Sequence, residues 1–217
     1  MKQSMIEKTE NFVKEQLQHE SSGHDWYHIY RVRKLAENIA VQEGADRFIC
    51  VMAALLHDIA DEKIAGSEEK GMNEVLQWLQ SIEVESEYIE HILSIIGSMS
   101  YKGGNQTGMK TIEGKVVQDA DRLDAIGAIG IGRTFAYSGA KGQLMYDPEI
   151  PVREFMTKDQ YRNEKSTAVN HFYEKLLKLK NTMNTSYAKK LADERHAFLE
   201  SFLDQFFAEW EVNESQS

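Results

Sequence analysis

Proline is the residue a helix tolerates least, and this chain of 217 residues has only two, Pro148 and Pro151. Nothing in residues 1–147 removes a backbone donor or clashes with the preceding turn. Strand-like alternation of apolar and polar residues is scarce, so the pattern predicts an all-α fold. The length suits a single domain, 1–217, with a sizeable core. A single cysteine, Cys50, excludes a disulfide framework and a thiolate zinc site, and points to a reducing, cytoplasmic setting. No run is apolar enough for a bilayer, and the N-terminus lacks a signal-peptide core, so no membrane partner is expected. The formal charge of −10 speaks against a nucleic-acid backbone as the main partner. It leaves room for a small anion held by a metal and local cations.

Periodicity predicts helices over 2–18, from Asp25 to about Glu43, and from Asp46 to His57-Asp58. Further helices are expected over 67–80, 86–96, from about Thr111, over 167–183 and over 186–211. Asp25 and Asp46 read as N-caps and Gly44 as a C-terminal stop. Residues 97–108 read as a loop, and 137–159 as an irregular segment suited to a lid. Gly127, Gly130 and Gly132 are open to two readings, a phosphate-cradling loop or close helix packing. The second is favoured because no strand precedes them. The last helix is expected to bury Leu191, Phe198, Leu199, Phe202, Leu203, Phe206 and Trp210. Its aromatics fit a homodimer face or a core helix equally.

The chemistry gathers around Ala53-Ala54-Leu55-Leu56-His57-Asp58. An imidazole and a carboxylate closing an apolar run are costly unless something binds them. A divalent metal is the simplest partner. His28 on the preceding helix and an acid from the run Gln118 to Asp124 would complete two imidazoles and two carboxylates. That set suits Mn, Fe, Ni, Co or Mg, with Zn compatible. Four ligands on a six-coordinate ion leave positions for water and a substrate oxygen. Asp119, Asp121 and Asp124 compete as the last ligand, and Asp121 and Asp124 share a helix face. Asp124 is otherwise a support to a ligand or a solvated acid. His24 is either a substrate contact or a structural hydrogen-bonding residue.

The order His28, His57-Asp58, Asp121 resembles the H…HD…D pattern of the HD-domain metal-dependent phosphohydrolase superfamily. His28-Ile29-Tyr30-Arg31-Val32 resembles its H-x-x-R-V, and Ala54-Leu55-Leu56-His57-Asp58 its A-L-L-H-D. Ala120-Asp121-Arg122-Leu123 resembles the A-D-R-L frame of the final ligand, which favours Asp121. Asn170-His171-Phe172-Tyr173-Glu174-Lys175-Leu176 and the run Gln118 to Arg133 further resemble the bacterial YpgQ-like pyrophosphohydrolase branch.

The superfamily resemblance implies a helical bundle around one catalytic metal, with its core over about 20–135 and C-terminal helices over about 160–212. The binuclear members add two histidines between the HD pair and the last aspartate; only His91 lies there, which favours one ion, Mn first. The branch resemblance implies hydrolysis of nucleoside triphosphates to monophosphate and pyrophosphate. Asp61 and Glu62 resemble the acidic pair that follows HD in the pyrophosphohydrolases of guanosine polyphosphates; either would accept a proton from the attacking water. Arg31, Lys63, Lys102, Arg122, Arg133, His171 and Lys175 are the candidate phosphate contacts, with Lys178 continuing the His171-Lys175 stripe. The alternatives are a nucleoside monophosphate phosphatase, a guanosine polyphosphate hydrolase, or a nucleotide-binding sensor without turnover.

Overall fold

The computed structural model describes residues 1–18, 25–99, 108–153 and 166–211, apart from the side chains of Glu62 and Lys63. The regular structure among the described residues is helical, with no strand. They divide into two compact units, Met1–Asp124 with Asn184–Ala188, and Ala125–Met183 with Lys189–Ser217.

The first unit is built on α3 (Arg47–Leu56). Every side chain from Phe48 to Leu56 is buried, so this helix is apolar all round and needs neighbours on all sides. α1 (Lys2–Leu17), α2 (Trp26–Glu43), α6 (Ser86–Met99) and α7 (Ile112–Asp124) supply them. Leu55 and Leu56 are fully buried, each stabilising the fold by about 2 kcal/mol relative to exposure. The expected caps are in place. Asp46 accepts from the N–H groups of Phe48 and Ile49, and Gly44 ends α2 at φ +68°, where a Cβ would be strained.

A short helix, α4 (Glu62–Ala65), and α5 (Glu68–Ser81) follow the His-Asp pair. Gly71 lets α5 approach the turn after His57-Asp58. A Cβ there would lie 2.7 Å from Ala60 Cα and 2.9 Å from Ile59 O. Phe12 and Trp78 stack at 4.1 Å, and the Trp78 indole N–H donates to Thr9 Oγ1 at 3.0 Å. α6 runs on to Met99, so the first residues of the expected 97–108 loop are helical; Ser100 to Thr107 lie outside the described residues.

In the second unit, α8 (Gly127–Ala140) replaces the possible phosphate loop with a helix. A Cβ on Gly130 would sit 2.2 Å from Ala125 O, so the small residue serves close packing. α8 also absorbs 137–140 from the segment expected to be irregular; 141–153 is non-helical, and 154–159 lies outside the described residues.

The helix expected over 167–183 is not α throughout. α9 (Ala168–His171) passes into a π-helical turn, Phe172–Leu176, then α10 (Leu177–Leu179) and a 3₁₀ turn, Lys180–Thr182. The wide turn breaks the regular spacing on which a His171-Lys175-Lys178 stripe would depend. α11 (Ser186–Trp210) buries Leu199 and Leu203 as expected, whereas Phe198 and Trp210 are about half exposed. Phe135, Phe172 and Phe202 form the aromatic centre of this unit, with ring centroids 5.6–6.0 Å apart.

Candidate metal centre

His28 stands in the first turn of α2, and its backbone N–H donates to the capping Asp25 at 2.9 Å. The cap therefore fixes the backbone that carries the ring. His57 closes α3, and Asp58 follows directly. One ligand atom from each of His28, His57 and Asp58 lies within 4.8 Å of the others. His28 Nε2 is 3.5 Å from Asp58 Oδ2, and His57 Nε2 is 3.3 Å from Asp58 Oδ1. From α7, Asp121 Oδ1 comes to 3.5 Å from His28 Nε2 and 4.0 Å from His57 Nε2. These separations fall between the roughly 3 Å of adjacent ligands and the roughly 4.2 Å of opposite ligands on an octahedral ion with bonds of about 2.1 Å.

The two rings are oriented alike. His57 Nδ1 lies 2.8 Å from the Ala54 carbonyl, and His28 Nδ1 lies 2.8 Å from Asp124 Oδ2. A carbonyl and a carboxylate only accept, so each neutral ring carries its proton on Nδ1 and turns the Nε2 lone pair toward the acids. Two neutral nitrogens and two carboxylates give a charge of −2 in a mixed borderline and hard donor set, which fits a divalent ion. The Asp58 side chain is only 6% exposed and that of Asp121 is 41% exposed, so one carboxylate is enclosed and the other faces the open side. Enclosing Asp58 is costly unless a cation offsets it.

The three acids of α7 have separate fates. Asp119 is fully buried and accepts from the backbone and side chains of Asn184 and Thr185. Asp121 turns toward the imidazoles. Asp124 is buried against His28 and Arg31, which removes the reading of it as a solvated acid. At about 100° per residue, 119 and 121 point in nearly opposite directions while 121 and 124 share a side. That spacing was the available signal for Asp124 and for excluding Asp119 from the site.

Asp61 is half-buried one turn beyond Asp58. Its N–H donates to the Asp58 carbonyl at 3.0 Å, and its own carbonyl accepts from Ile64 and Ala65. The backbone of Glu62 and Lys63 lies in α4, but their side chains are outside the described residues, as are His24 and Lys102. Arg31 directs Nε and Nη2 to Asp124, at 2.6 and 3.0 Å. Arg122 is half-buried; burial lowers its basicity, while Asp119 and Asp121 act the other way. Arg133, His171 and Lys175 belong to the second unit. There, burial foremost, and then Lys175, push the His171 pKa down to about 4, Glu174 opposing and Arg153 adding to the effect. At neutral pH that ring is uncharged. Sequence reasoning missed Glu174, which is buried and bound by Arg153 through Nε at 2.8 Å and Nη2 at 2.7 Å and by the Ser166 hydroxyl at 3.2 Å.

The HD-domain family model matches residues 25–126, the span that holds His28, His57, Asp58 and Asp121. Over 201 residues the sequence is 41% identical to YpgQ of Bacillus subtilis, covering 92% of this chain and 90% of the relative. The chain belongs to the HD-domain superfamily. As an HD-superfamily hydrolase it is a metal-dependent phosphohydrolase. Among solved structures it is similar to an HD-superfamily hydrolase from Bacillus thuringiensis, with 54% identity, a TM-score of 0.79, and coverage of 98% of this chain and all of that one. It is also similar to B. subtilis YpgQ in complex with ADP, with 38% identity, a TM-score of 0.74, and coverage of 97% and 98%. No described helix is long and apolar enough to cross a membrane.

Proposed function

We propose that this HD hydrolase converts nucleoside triphosphates to the monophosphate and pyrophosphate, using one divalent ion held by His28, His57, Asp58 and Asp121. The observation that carries the reading is the cluster of two Nε2 atoms and the Asp58 carboxylate, with Asp121 Oδ1 3.5 and 4.0 Å from the two imidazoles on a more exposed side. When bound, a divalent ion such as Mn polarises a phosphoryl oxygen and acidifies a coordinated water. The acids that surround this point would repel a free triphosphate, so the cation is also a condition for binding the substrate. The nucleotide class is supported by the ADP bound to YpgQ.

The chain's own groups divide the remaining work. Asp61 or Glu62, three and four residues after Asp58, is proposed to accept the proton of the attacking water. The water oxygen bonds to the α-phosphorus, the bond from that phosphorus to its bridging oxygen breaks, and pyrophosphate departs with the electron pair. Arg122, next to Asp121 in the chain, is proposed to balance the charge that develops, with Lys63 and Lys102 the further candidates from the sequence. Two or more such cations are needed, since one ion does not neutralise a triphosphate.

A panel of ribo- and deoxyribonucleoside triphosphates, with phosphate and pyrophosphate measured separately, tests this reading. His57→Ala and Asp58→Ala should lose both the bound metal and turnover, with pyrophosphate the wild-type product. Turnover retained in an ion-depleted variant would reject the mechanism. Phosphate released from monophosphates, with triphosphates inert, would favour the phosphatase alternative, and tight nucleotide binding without turnover the sensor.

A further inference from the structure

Arg31 stands three residues after His28 and was a candidate for binding phosphate. Its geometry points elsewhere. The Asp124 carboxylate accepts from Arg31 Nε at 2.6 Å through Oδ1, and from Arg31 Nη2 at 3.0 Å through Oδ2. The same Oδ2 lies 2.8 Å from His28 Nδ1. Asp124 is 2% exposed at its side chain and His28 3%, while Arg31 is 29% exposed. Asp124 is also the leading influence on Arg31, holding the guanidinium more basic than usual against the effect of burial.

We propose that Arg31 and Asp124 are positioning residues that load the metal by fixing the His28 ring, and that Arg31 is not a phosphate contact. This rests on the metal reading given above. A planar guanidinium bound at two atoms leaves its carboxylate one orientation. That carboxylate holds the Nδ1 proton of His28, so the Nε2 lone pair can face only the acids. Arg31 holds the Asp124 carboxylate with one oxygen on His28 Nδ1, and a carboxylate in that position both orients the ring and raises the donor strength of Nε2 toward a cation. The neighbouring ligand, His57, has a neutral backbone carbonyl in the same role. The two imidazoles are thus unequal, and His28 is the one whose orientation depends on a carboxylate that another side chain holds.

The readout is metal affinity, measured by titrating chelator-stripped protein with MnCl₂ and no nucleotide, by calorimetry or Mn²⁺ electron paramagnetic resonance. Asp124→Asn and Arg31→Ala should bind Mn about 10- to 100-fold more weakly than wild type. Arg31→Lys restores the charge without the two-point geometry and should fall between. Turnover at saturating Mn should leave the nucleotide KM of the Arg31 variants within about twofold of wild type. Circular dichroism melts of the stripped proteins establish folding, and Arg31→Lys, at a partly exposed position, keeps the test open if Asp124→Asn unfolds. Wild-type affinity in all three variants would overturn the proposal. So would a KM rise of tenfold or more in Arg31→Ala with unchanged Mn affinity, which would make Arg31 a substrate contact. A wild-type protein that binds no Mn would overturn the metal reading itself, and this inference with it.

Discussion

Asp119 Oδ2 accepts both the backbone N–H of Thr185, at 2.8 Å, and the Thr185 hydroxyl, at 2.9 Å. Its other oxygen takes the N–H and the side-chain amide of Asn184, at 2.9 and 2.8 Å. This carboxylate joins α7 to the residues that enter α11. Asp119→Ala would strand buried donors, a loss of about 3 kcal/mol. At this chain length that is a fall of about 6–12 °C in Tm. Asp121→Ala, two residues away, should behave in the opposite way. It removes one of several like charges from a partly exposed position, so the melting temperature of the metal-free protein should hold or rise while Mn affinity drops. Equal thermal losses in the two variants would contradict the separation of their roles.

Metal should act as a stabiliser in its own right. An ion that binds only the folded state at one hundred times its Kd adds about 2.7 kcal/mol. A thermal scan with and without Mn should show a rise of several degrees in wild type and none in Asp58→Ala. A similar rise in that variant would place the ion elsewhere.

Gly71 makes a steric prediction near the centre. Gly71→Ala drives a Cβ into Ala60 Cα and Ile59 O, and should cost about 1–3 kcal/mol by denaturant melts. Gly132→Ala is the control. Nothing lies within 4 Å of the added atom, and a helical position gains up to about 1 kcal/mol from the exchange. Reversed signs would refute the packing described for α5.

His171 gives a pH dependence. Its folded value, about 4, is below the ordinary imidazole value, so the unfolded chain binds the extra proton first. Stability is whole above about pH 6.5 and is lost as pH falls from there toward 4. Lys175, Glu174 and Arg153 are charged groups that act on the ring. His171→Gln should flatten the Tm profile over that window relative to wild type. Parallel profiles would show that the ring does not titrate as described.

Much of this was legible in the chain because the signals were local. A cap works through its own next residues, so Asp25 and Asp46 declared two helix starts, and Gly44 a stop. The spacing of His28, His57-Asp58 and Asp121 could be read because each sits in a distinctive short frame. What could not be read depends on distant partners. Spacing leaves Asp124 either a support to a ligand or a solvated acid, and only Arg31 and His28, from α2, decide for the first. Glu174 is an unremarkable glutamate until Arg153 and Ser166 meet it. The π-helical turn at Phe172–Leu176 leaves no mark in periodicity, which assumes the spacing it violates. Phe198 and Trp210 share the apolar character of Leu199 and Leu203, and only packing decides which of them is covered.

Cys50 lies on α3, fully buried, and burial, then Glu113 and Asp46, push its thiol well above the ordinary range. In the native protein it is neither a thiolate nor within reach of an alkylating reagent. Two turns further along the same helix stands His57. A fluctuation wide enough to admit a maleimide to this lone sulfur must open the packing of α1, α2, α6 or α7 around the helix that presents the imidazole. The rate of labelling therefore clocks how often the packing around α3 opens, with no engineered cysteine or tag.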